Sequence, residues 1–221
     1  MTPAAVVFDL FGTLLDIASL SDTVAPHVSD PAAFVATWRE KQLAYAFACT
    51  LMEMYADFDE MTRTSLDYAA AKHGVELGPA TRELFEIAWW RLAPHPDALP
   101  ALAGLRDAGI PRAVLTNGSP SSAAAAIENA GLGPHIDTVL SVDAVRAYKP
   151  SPAVYALATT HFGVPAEQIV FVSANGWDAT GAAAFGLHTV WCNRLGAPAE
   201  TFGPKPNATI SGLRELVEHL R

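Results

Sequence analysis

Asp9 closes a short apolar run, Ala4 to Phe8, and the chain then breaks at Gly12-Thr13. This reads as a buried strand that presents a carboxylate at its C-terminal end, a group able to act as a covalent nucleophile. Other chemistry-bearing residues stand at similar places: Thr13 beside Asp9, Thr116 and Asn117 after Ala113-Val114-Leu115, and Ser173, Asn175 and Asp178 after Ile169 to Val172. Lys149 follows the weaker run Thr138-Val139-Leu140. Any one of these is ordinary turn or capping chemistry. Together they bring a nucleophile, a cation, a second carboxylate and neutral hydrogen-bonding groups to one edge of a sheet.

The elements that must position them are an alternation of strands and helices. Thr189-Val190-Trp191-Cys192 is a further strand, and continuous apolar runs suit strands buried on both faces of a parallel sheet. Helical segments lie between: Leu99 to Ala108, a segment opened by Ser119-Pro120, another from Ser151-Pro152 to His161, and Asp178 to Phe185. Ser before Pro supplies an N-cap and a first helical residue. The pattern predicts an α/β fold with a doubly wound, Rossmann-like parallel sheet. Residues 16–95 break the rhythm with three helical stretches, Pro31 to Phe47, Met61 to His73 and Pro79 to Leu92. We therefore expect a helical cap over 16–95, inserted into a core built from 1–15 and 96–221, with Ala93-Pro94-His95-Pro96 as the return linker.

Bulk properties set the class. The 221 residues are 51% hydrophobic and carry a formal net charge of -9. That charge argues against nucleic acid as a partner but permits a small anionic substrate held by local cations. Cys49 and Cys192 form no CxxC or Cys/His cluster, so neither a zinc site nor a disulfide framework is expected, and both thiols read as packing groups. No run approaches the roughly 18 apolar residues of a membrane span, and the N-terminal residues lack a secretory pattern. A cytoplasmic protein is expected.

Asp9-Leu10-Phe11-Gly12-Thr13-Leu14-Leu15-Asp16 resembles the nucleophile motif of the haloacid dehalogenase superfamily. Thr116-Asn117-Gly118, Lys149-Pro150 and the acidic segment ending in Asp178 match its other three motifs in order. Most members of that superfamily are magnesium-dependent phosphatases with a second Asp two residues after the nucleophile and another four residues before the last acid. Phe11 and Ala174 hold those positions here, so the general acid and one hard oxygen ligand are gone. A halide leaves as a stable anion and needs no proton. Ser173-Ala174-Asn175-Gly176-Trp177-Asp178-Ala179-Thr180-Gly181, Trp38-Arg39-Glu40-Lys41-Gln42-Leu43 and Thr116-Asn117-Gly118-Ser119-Pro120 are similar to signatures of the L-2-haloacid dehalogenase branch.

The resemblance implies hydrolysis of a small anionic 2-haloacid by water, with inversion, through an ester on Asp9, without metal or other cofactor. It implies that Arg39 receives the leaving halide or helps to position the substrate, and that Asn117 joins the halide cradle. Thr13, Thr116 and Ser173 would position Asp9 or the substrate carboxylate. Lys149 would offset the charge of Asp9 and Asp178, Asp178 with Asn175 and Lys149 would activate water, and Tyr155 would support them. Phe11, Leu43, Phe58 and Trp177 would line an apolar pocket. A homodimer is also expected from the family. A related hydrolase opening azetidine-2-carboxylate is a second reading, although its amine leaving group needs a proton donor that Phe11 does not offer. A magnesium phosphatase is a third, opposed by Phe11 and Ala174. A non-catalytic binding protein has no need of a nucleophile with a water-activating partner.

Overall fold

The computed structural model describes residues 3–220. Strand β1 (Ala5–Phe8) leads into an inserted helical segment: α1 (Leu20–Val24), α2 (Pro31–Leu51), α3 (Phe58–His73) and α4 (Pro79–Ala88). The chain then runs α5 (Ala98–Asp107), β2 (Arg112–Thr116), α6 (Pro120–Asn129), β3 (Thr138–Ser141), α7 (Pro152–Phe162), β4 (Ile169–Ser173), α8 (Gly176–Phe185), β5 (His188–Cys192), β6 (Ala208–Ile210) and α9 (Arg214–His219). The described residues form one six-stranded sheet in the order β3-β2-β1-β4-β5-β6, with every neighbouring pair parallel.

The doubly wound α/β expectation is met. β1 lies at the centre, β2 and β3 build outward on one side, and β4 to β6 on the other. The order reverses beside β1, where open α/β sheets bind ligands beyond their carboxyl ends. Phe8 pairs with both Val114 and Val172, so Asp9 leaves the sheet beside the last residues of β2 and β4. β1, β2 and β4 are buried throughout, as continuous apolar runs require. β3 departs from that expectation: it is an edge strand, and Val139 is exposed.

Local chemistry sets the helix ends. Asp57 caps α3 by accepting from the Glu60 amide, so the helix begins at Phe58 rather than Met61. Gly74 closes it with φ 65°. α2 runs on past Phe47 to Leu51. The stretch from Pro79 tightens into a 3-10 turn, Trp89–Arg91, before Leu92. Ser119 caps α6 by accepting from the Ser122 amide at 3.2 Å. Ser151 precedes Pro152 in the same way, yet its side chain makes no capping bond.

The segments that leave and rejoin the sheet run side by side. Asp16 donates its amide to the Ala93 carbonyl and His95 donates to Leu14, with an antiparallel bridge between Leu15 and Pro94. One apolar cluster extends from β1, β2 and β4 into the inserted helices through Phe34, Trp38, Phe85 and Trp89. Among the described residues, no helix is long and apolar enough to cross a membrane.

Candidate active site

The loop after β1 turns sharply at Gly12, whose φ of 93° a side-chain-bearing residue rarely adopts. This turn brings Thr13 back to Asp9. Thr13 Oγ1 donates to Asp9 Oδ2 at 2.8 Å and accepts from the Ala174 amide at 2.8 Å, which fixes the direction of its single proton. Asn175 Nδ2 donates to the same Asp9 Oδ2 at 2.8 Å and to the Phe11 carbonyl at 3.3 Å. Lys149 Nζ donates to Asp9 Oδ1 at 2.9 Å. The nucleophile candidate is thus a buried carboxylate held by three donors from three loops.

Lys149 also reaches Asp178 Oδ2 at 3.0 Å, so one buried ammonium bridges two buried carboxylates. Tyr155 donates to Asp178 Oδ1 at 2.7 Å. Burial pulls the Lys149 pKa down, but Asp178 and Asp9 outweigh it and hold it above the usual lysine value. Burial pushes the Asp178 carboxyl above its ordinary range, against Lys149, with Asp9 adding repulsion. A carboxylate raised in this way is a stronger base. Burial, reinforced by Asp178, likewise raises the Tyr155 phenol, so it stays a donor. Close packing supports this arrangement: a Cβ on Gly181 of α8 would lie 2.7 Å from Tyr155 Oη and 2.5 Å from Pro150 Cβ.

Arg39, on α2, comes from the inserted helices. Its guanidinium lies 6.0 Å from the centre of the Phe58 ring and 5.9 Å from that of Trp89. Burial lowers its pKa to about 10, opposed by Asp9 and Asp178, so it remains a cation at neutral pH. Phe11 packs between Phe58 and Trp89 at 6.2 and 5.9 Å. A cavity of about 250 Å³ opens on these three rings and is rimmed by Asp59, Arg63, Glu86 and Ser122.

Other expected residues lie nearby with narrower tasks. Asn117 Oδ1 accepts from the Lys149 amide at 3.1 Å, which ties the β2 loop to the lysine loop. Ser173 and Thr116 do not bond Asp9: the Ser173 hydroxyl accepts from the Asn175 amide and the Thr116 hydroxyl from the Gly118 amide. Both shape turns, because a hydroxyl at a strand end finds its own backbone first. Leu43 is half-buried one turn beyond Arg39 on α2. Phe47, a turn further, meets Trp177 at 5.1 Å. The lining of the cavity on Phe11 includes Phe58 but neither Leu43 nor Trp177.

Sequence reasoning missed Trp89, although the Trp89-Trp90 pair is conspicuous. It also missed the contacts of Gln42, a residue inside a quoted motif, with Arg39. Among the described residues, no three His, Cys, Asp or Glu side chains are grouped to hold a metal, and the Lys149 ammonium stands between the two carboxylates instead.

Comparison with known proteins agrees with this architecture. Residues 3–186 match the family model of haloacid dehalogenase-like hydrolases. The (S)-2-haloacid dehalogenase of Pseudomonas sp. (strain YL) is 39% identical, the match covering 96% of this chain and 92% of that protein. The crystal structure of the L-2-haloacid dehalogenase RSc1362 superposes with a TM-score of 0.96 at 39% identity, covering 100% and 99% of the two chains. The L-2-haloacid dehalogenase from Xanthobacter autotrophicus, with chloropropionic acid covalently bound, superposes with a TM-score of 0.93 at 35% identity, covering 99% and 98%. With a family match over most of its length and a relative this similar from end to end, the chain belongs to the haloacid dehalogenase-like hydrolases.

Proposed function

We propose that this enzyme hydrolyses the carbon–halogen bond of short L-2-haloalkanoic acids to 2-hydroxy acids, through an ester on Asp9. The observation that carries this reading is the pairing of Asp9, held by three donors, with an aromatic wall and the Arg39 cation in place of a second acid. The 2-haloacid dehalogenases to which the chain is similar support the substrate class.

The hydrogen bonds support a division of labour between the two Asp9 oxygens. Among the described residues, Oδ2 accepts two donors, whereas Oδ1 accepts only Lys149 and keeps a lone pair. Oδ1 attacks the α-carbon from the face opposite the halogen. The carbon–halogen electron pair leaves with the halide, which Arg39 receives and Asn117 helps to cradle, and the carbon inverts. The ester carbonyl is then Oδ2, already facing Thr13 Oγ1 and Asn175 Nδ2, so two aligned donors meet the oxyanion of the second step. Asp178 takes a proton from water as it adds to the Asp9 carbonyl carbon, then returns that proton to the departing hydroxy acid. Asp9 is regenerated with one oxygen from water, and the second water proton, left on its new carboxyl, is released to solvent, which restores the carboxylate.

On this reading residues 16–95 act as a cap over the core of 1–15 and 96–221, no metal takes part, and the protein works in the cytoplasm as a homodimer. The test is halide release from L- and D-2-chloropropionate, each with EDTA. Release from the L enantiomer alone is expected, and no release from either overturns the reading. A single turnover in isotopically labelled water should place label in the Asp9 side chain.

A further inference from the structure

The Arg39 side chain is tethered within the inserted helices. Its Nη1 donates to Gln42 Oε1 at 2.6 Å, on the next turn of α2. Gln42 is fully buried, and its Nε2 donates to Thr62 Oγ1 of α3 at 2.6 Å. Thr62 Oγ1 donates in turn to the Phe58 carbonyl at 2.8 Å. From the other side, Trp38 Nε1 holds the Thr62 carbonyl at 2.9 Å.

The relay has one possible direction. Thr62 owns a single hydroxyl proton, and the Phe58 carbonyl can only accept it. Thr62 must therefore accept from Gln42, so the Gln42 amide nitrogen faces Thr62. Its oxygen is left facing Arg39, the only orientation that welcomes a guanidinium N–H. A carbonyl in the first turn of α3 thus dictates where an arginine on α2 points. The same turn supplies Phe58, whose ring flanks the guanidinium.

We propose that Gln42 and Thr62 are positioning residues that aim Arg39 at the leaving halide and thereby set discrimination among halogens. This rests on the dehalogenase reading above. A carbon–chlorine bond breaks less readily than a carbon–bromine bond, and chloride concentrates its developing charge in a smaller volume. Its departure depends more on a cation already in place. A mobile Arg39 should therefore penalise chloride more than bromide.

The experiment compares L-2-chloropropionate with L-2-bromopropionate in the full-length enzyme. Gln42→Leu and Thr62→Val are each expected to lower kcat/KM for the chloro acid by about tenfold more than for the bromo acid, the size of one charge-assisted hydrogen bond. Both should also weaken inhibition by added chloride. Thr62→Ser should restore the wild-type ratio. The double variant should fall no further than Gln42→Leu alone, because both cut one relay. A chloro-to-bromo ratio unchanged in folded Gln42→Leu overturns the proposal. If that variant does not fold, the near-isosteric Thr62→Val decides in the same way. A wild-type enzyme that releases neither halide overturns the dehalogenase reading instead.

Discussion

Lys149 Nζ lies 3.0 Å from Asp178 Oδ2, with the side chains 1% and 0% exposed. The same ammonium serves Asp9, so removing it leaves two buried carboxylates facing each other. Lys149→Met should destabilise the fold by about 3–5 kcal/mol, the range for breaking a buried ion pair from one side. Turnover should fall roughly a hundredfold or more with loss of this charged donor. Urea denaturation and halide release check both, and a variant of wild-type stability would refute the bridge.

Asp178 is assigned to the second step alone. Asp178→Asn should still form the ester but hydrolyse it slowly, so the Asp9 peptide should carry the acyl adduct in mass spectra after brief exposure to substrate. An Asp178→Asn enzyme that turns over normally, or one that forms no adduct, contradicts that assignment.

Tyr155 donates to the ionised form of Asp178, which lowers the Asp178 pKa against the larger upward push of burial. Without that donor the pKa must rise further. Since the base works only when ionised, Tyr155→Phe should move the acid limb of the kcat profile to higher pH. A limb that stays put or moves down would show that the phenol does not stabilise the carboxylate.

His95 Nε2 donates to the Gly12 carbonyl at 3.2 Å, since a carbonyl oxygen can only accept. Burial, with Arg194 assisting, lowers its pKa. A histidine depressed in the fold stabilises above its unfolded pKa, and that contribution is lost as pH falls through the folded value. His95→Gln should therefore lose less stability than the wild type as pH falls from neutral through the ordinary histidine range. Parallel denaturation curves at several pH values test this, and equal slopes in the two proteins would exclude a role for His95.

Gly181→Ala adds a methyl group where Tyr155 Oη and Pro150 Cβ already stand within 2.7 Å. Overpacking of this kind costs about 1–3 kcal/mol. Because the displaced atom is the donor to Asp178, activity should fall along with the melting temperature. Full activity with unchanged stability would mean that α8 shifts freely.

Much of this was legible in the sequence because it depends on local pattern. Asp9 and Asp178 follow continuous apolar runs that end at turn residues and so read as buried strands, Lys149 follows a weaker run, and the strand ends converge. β3 gave a weaker signal because an edge strand need not be apolar on both faces. β6 was invisible: three residues, Ala208–Ile210, follow a loop rich in Gly and Pro and carry no run of their own. Contacts between helices were hidden for another reason. Asp59 accepts from Ser119 and Ser122 at 2.8 and 2.6 Å, and Gln42 reaches Thr62, across separations that no spacing rule encodes. The turns held by Thr116 and Ser173 show the converse, that a hydroxyl in the right motif can spend its hydrogen bond on its own backbone.

The sheet supplies Asp9, Thr13, Lys149, Asn175 and Asp178, whereas Arg39 and its flanking Phe58 arrive on α2 and α3. The groups that would make and break the ester on the proposed chemistry stand at the strand ends, while the residue that would receive the departing anion stands on the inserted helices. On the proposed chemistry, separating the two by a few ångströms leaves the nucleophile fully poised and the leaving group without a destination. On that proposal the reaction needs two keys: Asp9 held ready at the sheet, and Arg39 in its seat on the inserted helices.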